Sequence, residues 1–226
     1  HRFENGGVEV ADHLCWDFPG LWKQLETGLT RAASEYQDSI ISLGVDTWGV
    51  DFGLLDSKDQ LLANPRHYRD HSPEILETAF AMVPRDEIFQ HTGLQFMEFN
   101  SLYQLLALKL ENSPLLENAA SLLMIPDLMH WMLSGVKANE FTNATTTQML
   151  DPRTGNWALP LLDRFSLPSE ILQQVTALGS VLGPLQTLAT DTPGLPAGKV
   201  VFPGTHYPAG AVMCVQLAAH GPRPGT

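Results

Sequence analysis

Apolar residues between positions 21 and 36 recur at steps of three and four, with charged or polar residues between them. This spacing places apolar side chains along one face of an α-helix, and Pro19 stands directly before the pattern, where helices commonly begin. The sequence therefore predicts an amphipathic helix here. Its apolar face consists of Leu21, Trp22, Leu25, Leu29, Ala32, Ala33 and Tyr36.

Two short strands are predicted directly after this helix. Residues 40–45 are mostly apolar and include β-branched residues, which is typical of a buried strand, and residues 50–55 form a second such run. Near the other end of the chain, residues 199–202 predict a further strand. Residues 209–219 then predict a helix that begins after Pro208. A helix followed by neighbouring strands indicates an α/β fold.

The middle of the chain, from residue 72 to residue 135, has the apolar spacing of helices. Gly135 stands where a glycine commonly ends a helix. A shorter helical pattern follows around residues 169–175. The predicted helices of the middle segment cover residues 75–83, 101–110, 115–123 and 128–133.

The turn between the first two predicted strands carries the candidate chemistry. In open α/β sheets, ligands bind just beyond the carboxyl ends of strands. Trp48 offers a flat apolar face there, and Gly49 lets a ligand approach the backbone. The carboxylates of Asp46 and Asp51 accept hydrogen bonds from hydroxyl groups. This combination suits a sugar, although the segment on its own favours a simpler description, a tight turn with two solvated acids.

Five stretches, in order and at similar spacing, resemble the sugar-binding half of the FGGY carbohydrate kinases, and within that family the rhamnulokinases. Each stretch is a weak motif by itself, whereas their common order makes the resemblance strong. Together they span roughly residues 40 to 165 of the chain. The stretches are 44–52 (GVDTWGVDF), 67–70 (HYRD), 92–105 (TGLQFMEFNSLYQL), 123–127 (LMIPD) and 140–148 (EFTNATTTQ).

The resemblance implies an α/β fold, namely an incomplete actin-like (ribonuclease-H-like) ATPase domain with a large helical insertion. Residues 1–226 would form part of an FGGY N-terminal domain, with α/β segments at 1–60 and 195–220 and the insertion over about 65–165. The implied reaction is ATP-dependent phosphorylation of the ketose L-rhamnulose to L-rhamnulose 1-phosphate, with ATP and Mg²⁺ serving the intact family. Two alternatives stay open: an FGGY kinase for another ketose or polyol, and a non-catalytic sugar-binding module.

The resemblance also assigns site residues. Gly49 and His206 match substrate-contacting positions of the family, and Trp48 and Asp51 are flanking candidates by their chemistry. Tyr207 occupies the position of the family's general-base Asp. Because tyrosine has a pKa near 10, it is a poor base at neutral pH. No catalytic residue is therefore assigned in this chain.

Nucleotide binding is not expected of this chain alone. The sequence contains neither a GxGxxG nor a GxxxxGK motif. In the family, the phosphate loop lies on a first strand that would precede His1, and a C-terminal domain contacts adenosine. The isolated chain is therefore expected to bind neither ATP nor Mg²⁺ well and to be inactive. Without that first strand, residues 40–45 would present an unpaired edge, which predicts self-association.

Two further pairs of polar residues are weaker candidates. His67 and His71 are four residues apart, but prolines flank them, so a loop is predicted rather than a metal site. Asn100 and Gln104 lie one helical turn apart, and two alternatives stay open for them: lining a sugar pocket or lying exposed.

Composition excludes several other classes of protein. The 226-residue chain has 25 acidic and 13 basic residues, a formal charge of −12 and no basic cluster, so neither nucleic acid nor an anionic membrane is an expected partner. No apolar run has the length of a transmembrane helix. The cysteines, Cys15 and Cys214, are too few for a disulfide framework and fit a reducing compartment, which predicts a cytoplasmic protein.

Overall fold

A computed structural model describes residues 1–36, 39–186 and 198–206. Tyr207 and the helix predicted over residues 209–219 lie outside the described residues, as does Cys214. No helix within the described ranges combines the length and the apolar character needed to cross a membrane.

Helices and short strands both occur along the described chain, as in an α/β fold, with four consecutive helices in its middle. The helices are α1 (Phe18–Tyr36), α2 (Ile75–Met82), α3 (Arg85–Thr92), α4 (Ser101–Leu110), α5 (Pro114–Glu117), α6 (Ile125–Ser134), α7 (Phe141–Ala144) and α8 (Leu159–Phe165). The strands are β1 (Gly7–Val10), β2 (His13–Trp16), β3 (Ser42–Leu43), β4 (Phe52–Leu55), β5 (Ser121–Met124), β6 (Asn139–Glu140), β7 (Leu150–Asp151), β8 (Asn156–Trp157), β9 (Val175–Thr176), β10 (Val181–Pro184) and β11 (Lys199–Val201). A 3₁₀ turn over Thr145–Thr147 follows α7.

The strands pair in small sheets that join distant parts of the chain. β11 pairs in parallel with β3 and antiparallel with β10, so the order of this sheet is β10-β11-β3. β4 pairs antiparallel with β5, with Leu54 opposite Leu122. β1 and β2 form an antiparallel hairpin, and β6 pairs in parallel with β9. The beginning and the end of the described chain therefore meet at the β3–β11 pair.

The β4–β5 ladder separates two hydrophobic cores. Successive side chains of a strand point to opposite faces, so Leu54 and Leu55 enter different cores. Leu54 and Leu122 pack with helices α2, α4 and α8 in the larger core. Leu55 and Leu123 pack against helices α1 and α6, together with Trp16, in the smaller one. Both faces of the ladder are thus buried, which explains why its sequence is apolar without alternation.

Several predicted elements are confirmed. Helix α1 covers the amphipathic segment, α4 matches the predicted residues 101–110, and β11 matches the last predicted strand. Helix α6 ends at Gly135, whose φ of 75° is the left-handed conformation that favours glycine. The pattern of residues 1–16 did not predict the β1–β2 hairpin, because β1 is exposed along its whole length and has no buried face to mark it.

Other predicted elements are wrong. The helix expected over residues 115–123 is the single turn α5 followed by strand β5, because a short apolar run buried on both faces has the same composition in either structure. Residues 169–175 form no helix and lead into β9. The strand expected over residues 40–45 is only the two-residue β3. It pairs with β11 and not with β4.

His130 joins helix α6 to the end of strand β3. Its side chain is fully buried. Nε2 accepts a hydrogen bond from the backbone N–H of Val45 at 3.0 Å, and Nδ1, which then carries the proton, donates to the carbonyl oxygen of Pro126 at 2.7 Å. Burial lowers the pKa of His130 from 6.5 to about 4, so the ring is neutral at physiological pH.

The stabilising effect of neutral His130 should therefore be lost in acid. Because its pKa is lower in the folded than in the unfolded chain, this contribution is present above about pH 6.5 and is lost as pH falls through about 4. From pH 7 to pH 5 the loss amounts to about 2 kcal/mol of unfolding free energy. We expect His130→Gln, which does not titrate, to lack this dependence in urea unfolding. Substitution of the exposed His71 by Gln is the control. A pH slope shared by wild type and His130→Gln would contradict the assignment.

Candidate functional site

The turn after β3 lies against the segment after β11. The backbone N–H of Thr47 donates to the carbonyl oxygen of Thr205 at 3.2 Å, and Thr47 forms a parallel bridge with His206. Trp48 and His206 are half-buried, and Gly49 is buried. The structure thus brings together three residues that the sequence assigned to substrate contact, although Gly49 and His206 are far apart in the chain.

Gly49 has no room for a side chain. A Cβ atom there would lie 2.8 Å from Oγ1 of Thr146 and 3.1 Å from Cδ2 of His206. Thr146 also accepts a hydrogen bond on Oγ1 from the backbone N–H of Val50 at 3.1 Å. Residues 143–147 therefore form a third wall of the site, beside the turn after β3 and the segment after β11.

Asp51 lies beneath this turn rather than on its surface. Its side chain is fully buried. Oδ2 accepts hydrogen bonds from Nε1 of Trp16 at 2.6 Å and Nε1 of Trp48 at 2.9 Å. Burial raises the pKa of Asp51 to about 6, and the hydrogen bonds from the indoles, Gln104 and the backbone of Tyr68 oppose that rise. The sequence predicts a substrate-contacting role for Asp51 from its chemistry, whereas its burial favours a role in supporting the turn.

A row of aromatic rings runs away from Trp48. The ring of Trp16 lies 4.1 Å from that of Trp48 and 4.0 Å from that of His67, measured between centroids. His67 continues the row to Tyr68 at 4.5 Å, and Tyr68 meets the edge of Phe99 at 6.1 Å. The 67–70 stretch therefore supports the turn after β3 through ring contacts.

Glu140 links the segment after β11 to helix α7 through hydrogen bonds. Its carboxylate is fully buried. Oε2 accepts from Oγ1 of Thr205 at 2.9 Å and from the backbone N–H of Thr205 at 3.3 Å. The same carboxylate caps α7 through the backbone N–H groups of Thr142 and Asn143. The sequence analysis did not single out Glu140, and an acid directly before a helix was the local signal that could have found it.

Asn100 and Gln104 make hydrogen bonds that shape the wall of the site. Asn100 Nδ2 donates to the carbonyl oxygen of Thr146 at 2.9 Å, and its Oδ1 accepts from Met97 N–H at 2.9 Å. Gln104 Nε2 donates to the carbonyl oxygens of Phe99 at 2.8 Å and Val50 at 3.2 Å. Both side chains therefore hold backbone segments around the turn in place.

A separate groove lies between helix α4 and the loop over residues 62–72. Its empty volume, including its open mouth, is about 620 Å³. Apolar residues such as Phe52, Ile75 and Ala107 dominate its walls, and neither Trp48 nor His206 lines it. We place the candidate site at the turn after β3 because hydrogen-bonding groups converge there, which a sugar requires, while the groove is mainly apolar.

The described part of the chain does not fit a magnesium–ATP site. Within it, no group of three or more His, Cys, Asp or Glu side chains is arranged to hold a metal ion. The sequence also contains no glycine-rich phosphate loop of the GxGxxG or GxxxxGK type.

Comparison with known proteins gives one consistent family. Residues 9–214 match the N-terminal domain of the FGGY family of carbohydrate kinases. The chain is 37% identical over 217 residues to the rhamnulokinase of Oceanobacillus iheyensis, covering 95% of this chain and 46% of that protein. It is 38% identical over 223 residues to the rhamnulokinase of Pectobacterium carotovorum, covering 96% of this chain and 43% of that protein. The chain thus spans less than half the length of these relatives.

Solved structures show the same fold. A carbohydrate kinase from Novosphingobium aromaticivorans superposes with a TM-score of 0.81 at 20% identity, over 94% of this chain and 45% of that one. Gluconate kinase from Lactobacillus acidophilus gives a TM-score of 0.79 at 18% identity, over 89% and 42%. The α/β, actin-like fold expected from the sequence is therefore confirmed. The chain belongs to the FGGY family of carbohydrate kinases.

Proposed function

We propose that this chain is the sugar-binding part of a rhamnulokinase, and that the whole protein phosphorylates L-rhamnulose to L-rhamnulose 1-phosphate with ATP. The observation that carries the proposal is the turn at Trp48 and Gly49, held against His206 with no space for a side chain at Gly49. The identity of 37–38% to rhamnulokinases supports the choice of sugar. The proposed contacts are Gly49, His206 and Trp48, with Asp51 beside them.

The chemistry of these residues suits a ketose. The face of an indole ring packs against the C–H groups of a sugar. The absence of a side chain at Gly49 lets Thr146 and His206 pack closely against the turn that carries Trp48. Burial lowers the pKa of His206, and the charge of Glu140 opposes this shift only in part. His206 is therefore neutral at pH 7, with one ring nitrogen as donor and the other as acceptor. A sugar hydroxyl, which both donates and accepts, can use either.

ATP and Mg²⁺ belong to the reaction proposed for the whole protein. When bound to the whole protein, ATP would supply the phosphoryl group and Mg²⁺ would neutralise charge on its phosphates. The part that this chain plays is to bind and orient the sugar. Tyr207, at the family's base position, lies outside the described residues, and its inability to act as base stays a prediction. We expect the isolated chain to show no turnover.

Two other functions compete with this proposal. The first is a kinase for another ketose or polyol, because solved proteins of similar fold include gluconate, xylulose and glycerol kinases. The second is a sugar-binding module without turnover. The proposed organisation is common to all three: α/β segments at residues 1–60 and 195–220 around a helical insertion over about 65–165. A cytoplasmic location likewise stays a prediction.

Sugar binding tests the proposal directly. We expect Trp fluorescence of the chain to change with L-rhamnulose and not with ATP, and the change to disappear in Trp48→Phe but persist in Trp22→Phe.

Gly49→Ala should weaken binding at least tenfold, because its Cβ would meet Thr146 and His206. Gly6→Ala is the matched control, since a Cβ at Gly6 meets nothing within 4 Å.

Calorimetry with a panel of sugars, sugar acids and polyols separates the proposal from a kinase for another substrate. Tighter binding of xylulose, gluconate or glycerol than of L-rhamnulose would favour the kinase of another substrate. Binding of ATP without binding of any sugar would refute the proposed role of this chain.

Glu140→Gln should weaken both the fold and the site. The substitution keeps the shape of the side chain, but it replaces a charged acceptor of several buried donors by a neutral amide. We expect a loss of about 1.5–3 kcal/mol of unfolding free energy and weaker sugar binding, because the segment carrying His206 is less firmly held. The exposed Glu117→Gln is the control. Equal stability of Glu140→Gln and wild type in urea unfolding would argue against this role.

We also propose that the isolated chain self-associates through strand β3. In the described residues β3 pairs on one side only, with β11, and Ile41 beside it is 80% exposed. Unpaired strand edges recruit other chains, and a lysine on such an edge opposes this. Sedimentation velocity should show association that rises with concentration and falls in Ile41→Lys, but not in Val136→Lys, a control on a loop. A monomer at every concentration would rule the idea out.

A further inference from the structure

A single oxygen atom of Asp51 holds three segments of the chain together. Oδ2 accepts hydrogen bonds from the indole of Trp16 on strand β2, from the indole of Trp48 in the turn after β3 and, at 3.2 Å, from the backbone N–H of Tyr68. The carboxylate has no exposed surface. Asp51 is therefore placed to fix the ring of Trp48 from below.

The other carboxylate oxygen of Asp51 reaches helix α4. Oδ1 accepts from Nε2 of Gln104 at 3.2 Å, and the same nitrogen donates to the carbonyl oxygen of Val50. Every hydrogen-bond donor to Asp51 in the described residues is neutral, and none of the ion pairs found there includes Asp51. Hydrogen bonds alone stabilise the charge of this buried carboxylate. The strength of each hydrogen bond therefore depends on the carboxylate staying ionised.

We propose that Asp51 is the positioning residue of the sugar site: it orients Trp48 for the sugar and does not itself touch the sugar. The inference rests on the proposed function of this site. Trp48 is fixed twice, by the hydrogen bond from its indole to Asp51 and by contact with the ring of Trp16. A ring already held in its binding orientation loses less conformational freedom when a ligand binds.

The hydrogen bond from Trp48 to Asp51 should weaken in acid. Burial raises the pKa of Asp51 to about 6, so the group is ionised at pH 7 and takes up a proton as pH falls through about 6. A protonated carboxyl is a weaker acceptor, and the indole of Trp48 is then less firmly held. Other titratable groups on the surrounding segments are His13, Cys15, Asp46, His67, Tyr68, Arg69, Asp70, Tyr103, Lys109 and His206.

For an effect of pH on the indole signals, the main competing explanation is His67. Its ring stacks on Trp16, and burial lowers its pKa below 6.5, so it also titrates in weak acid. Asp51→Asn separates the two groups. This substitution keeps the size of the side chain and one acceptor oxygen, removes the ionisation of residue 51 and leaves His67 in place.

The experiment follows the indole N–H signals of the whole chain by ¹H–¹⁵N NMR from pH 5 to pH 8, and L-rhamnulose binding by calorimetry at both limits. Asp86→Asn, on the exposed start of α3, is the control for loss of one negative charge. In wild type and control, the signals of Trp16 and Trp48 should move together with a midpoint near pH 6. The signal of Trp157, whose indole donates to the carbonyl oxygen of Gln173, is the internal reference.

Asp51→Asn should abolish this joint movement and bind L-rhamnulose about tenfold more weakly at pH 7, since hydrogen bonds to a neutral acceptor are weaker than those to a charged one. Between pH 7 and pH 5, wild type should lose more affinity than Asp51→Asn does, because His67 and His206 titrate in both proteins and Asp51 only in wild type. Unchanged affinity in Asp51→Asn, or pH-dependent Trp48 signals that persist in it, would overturn the inference while leaving the proposed function intact. Absence of L-rhamnulose binding by wild type at any pH would overturn both.

Discussion

The candidate site depends on the hydrogen bonds that the buried carboxylate of Glu140 accepts. This carboxylate closes a hydrogen-bonded link between helix α7 and Thr205, two parts of the chain that are 65 residues apart. Through Thr205 the link continues to Thr47 in the turn after β3. The Glu140 carboxylate and the Thr47–Thr205 hydrogen bond together hold the segment of His206 against the turn of Trp48 and Gly49. The cost of burying the charge is offset by the N–H and O–H donors of Thr142, Asn143 and Thr205.

Buried acids held by neutral donors recur around this site. Asp127 lies one layer further in and accepts from Nδ2 of Asn139 at 2.9 Å and from the backbone N–H of Glu140 at 3.1 Å. Burial raises the pKa of Asp127, as it raises that of Asp51. Such networks give a site a single arrangement, because every member must be in place for the charges to be satisfied.

Two buried groups give this protein opposite responses to acid. The pKa of His130 is lower in the fold than in the unfolded chain, so its protonation destabilises the fold as pH falls. The pKa of Asp51 is higher in the fold, so its protonation stabilises the fold over an overlapping range. The total stability can therefore vary little with pH while the two sites change separately. The NMR signals of the indole N–H groups, and the differences in unfolding free energy between variants, report on Asp51 and His130 separately. A single unfolding curve does not, because the two effects oppose each other.

The sequence by itself determined the family and the helices α1, α4 and α6, and it predicted a sugar site at the turn of Trp48 and Gly49. These features follow from patterns within the sequence: apolar residues at helical spacing, a glycine after a helix, and motifs in a fixed order. Only the tertiary structure decided that residues 121–124 are a strand, since a segment buried on both faces carries no periodic signal. It alone placed Asp51 beneath Trp48 and Glu140 against Thr205. Hydrogen bonds between distant segments leave no regular spacing in the sequence, because their partners are chosen by how the elements pack.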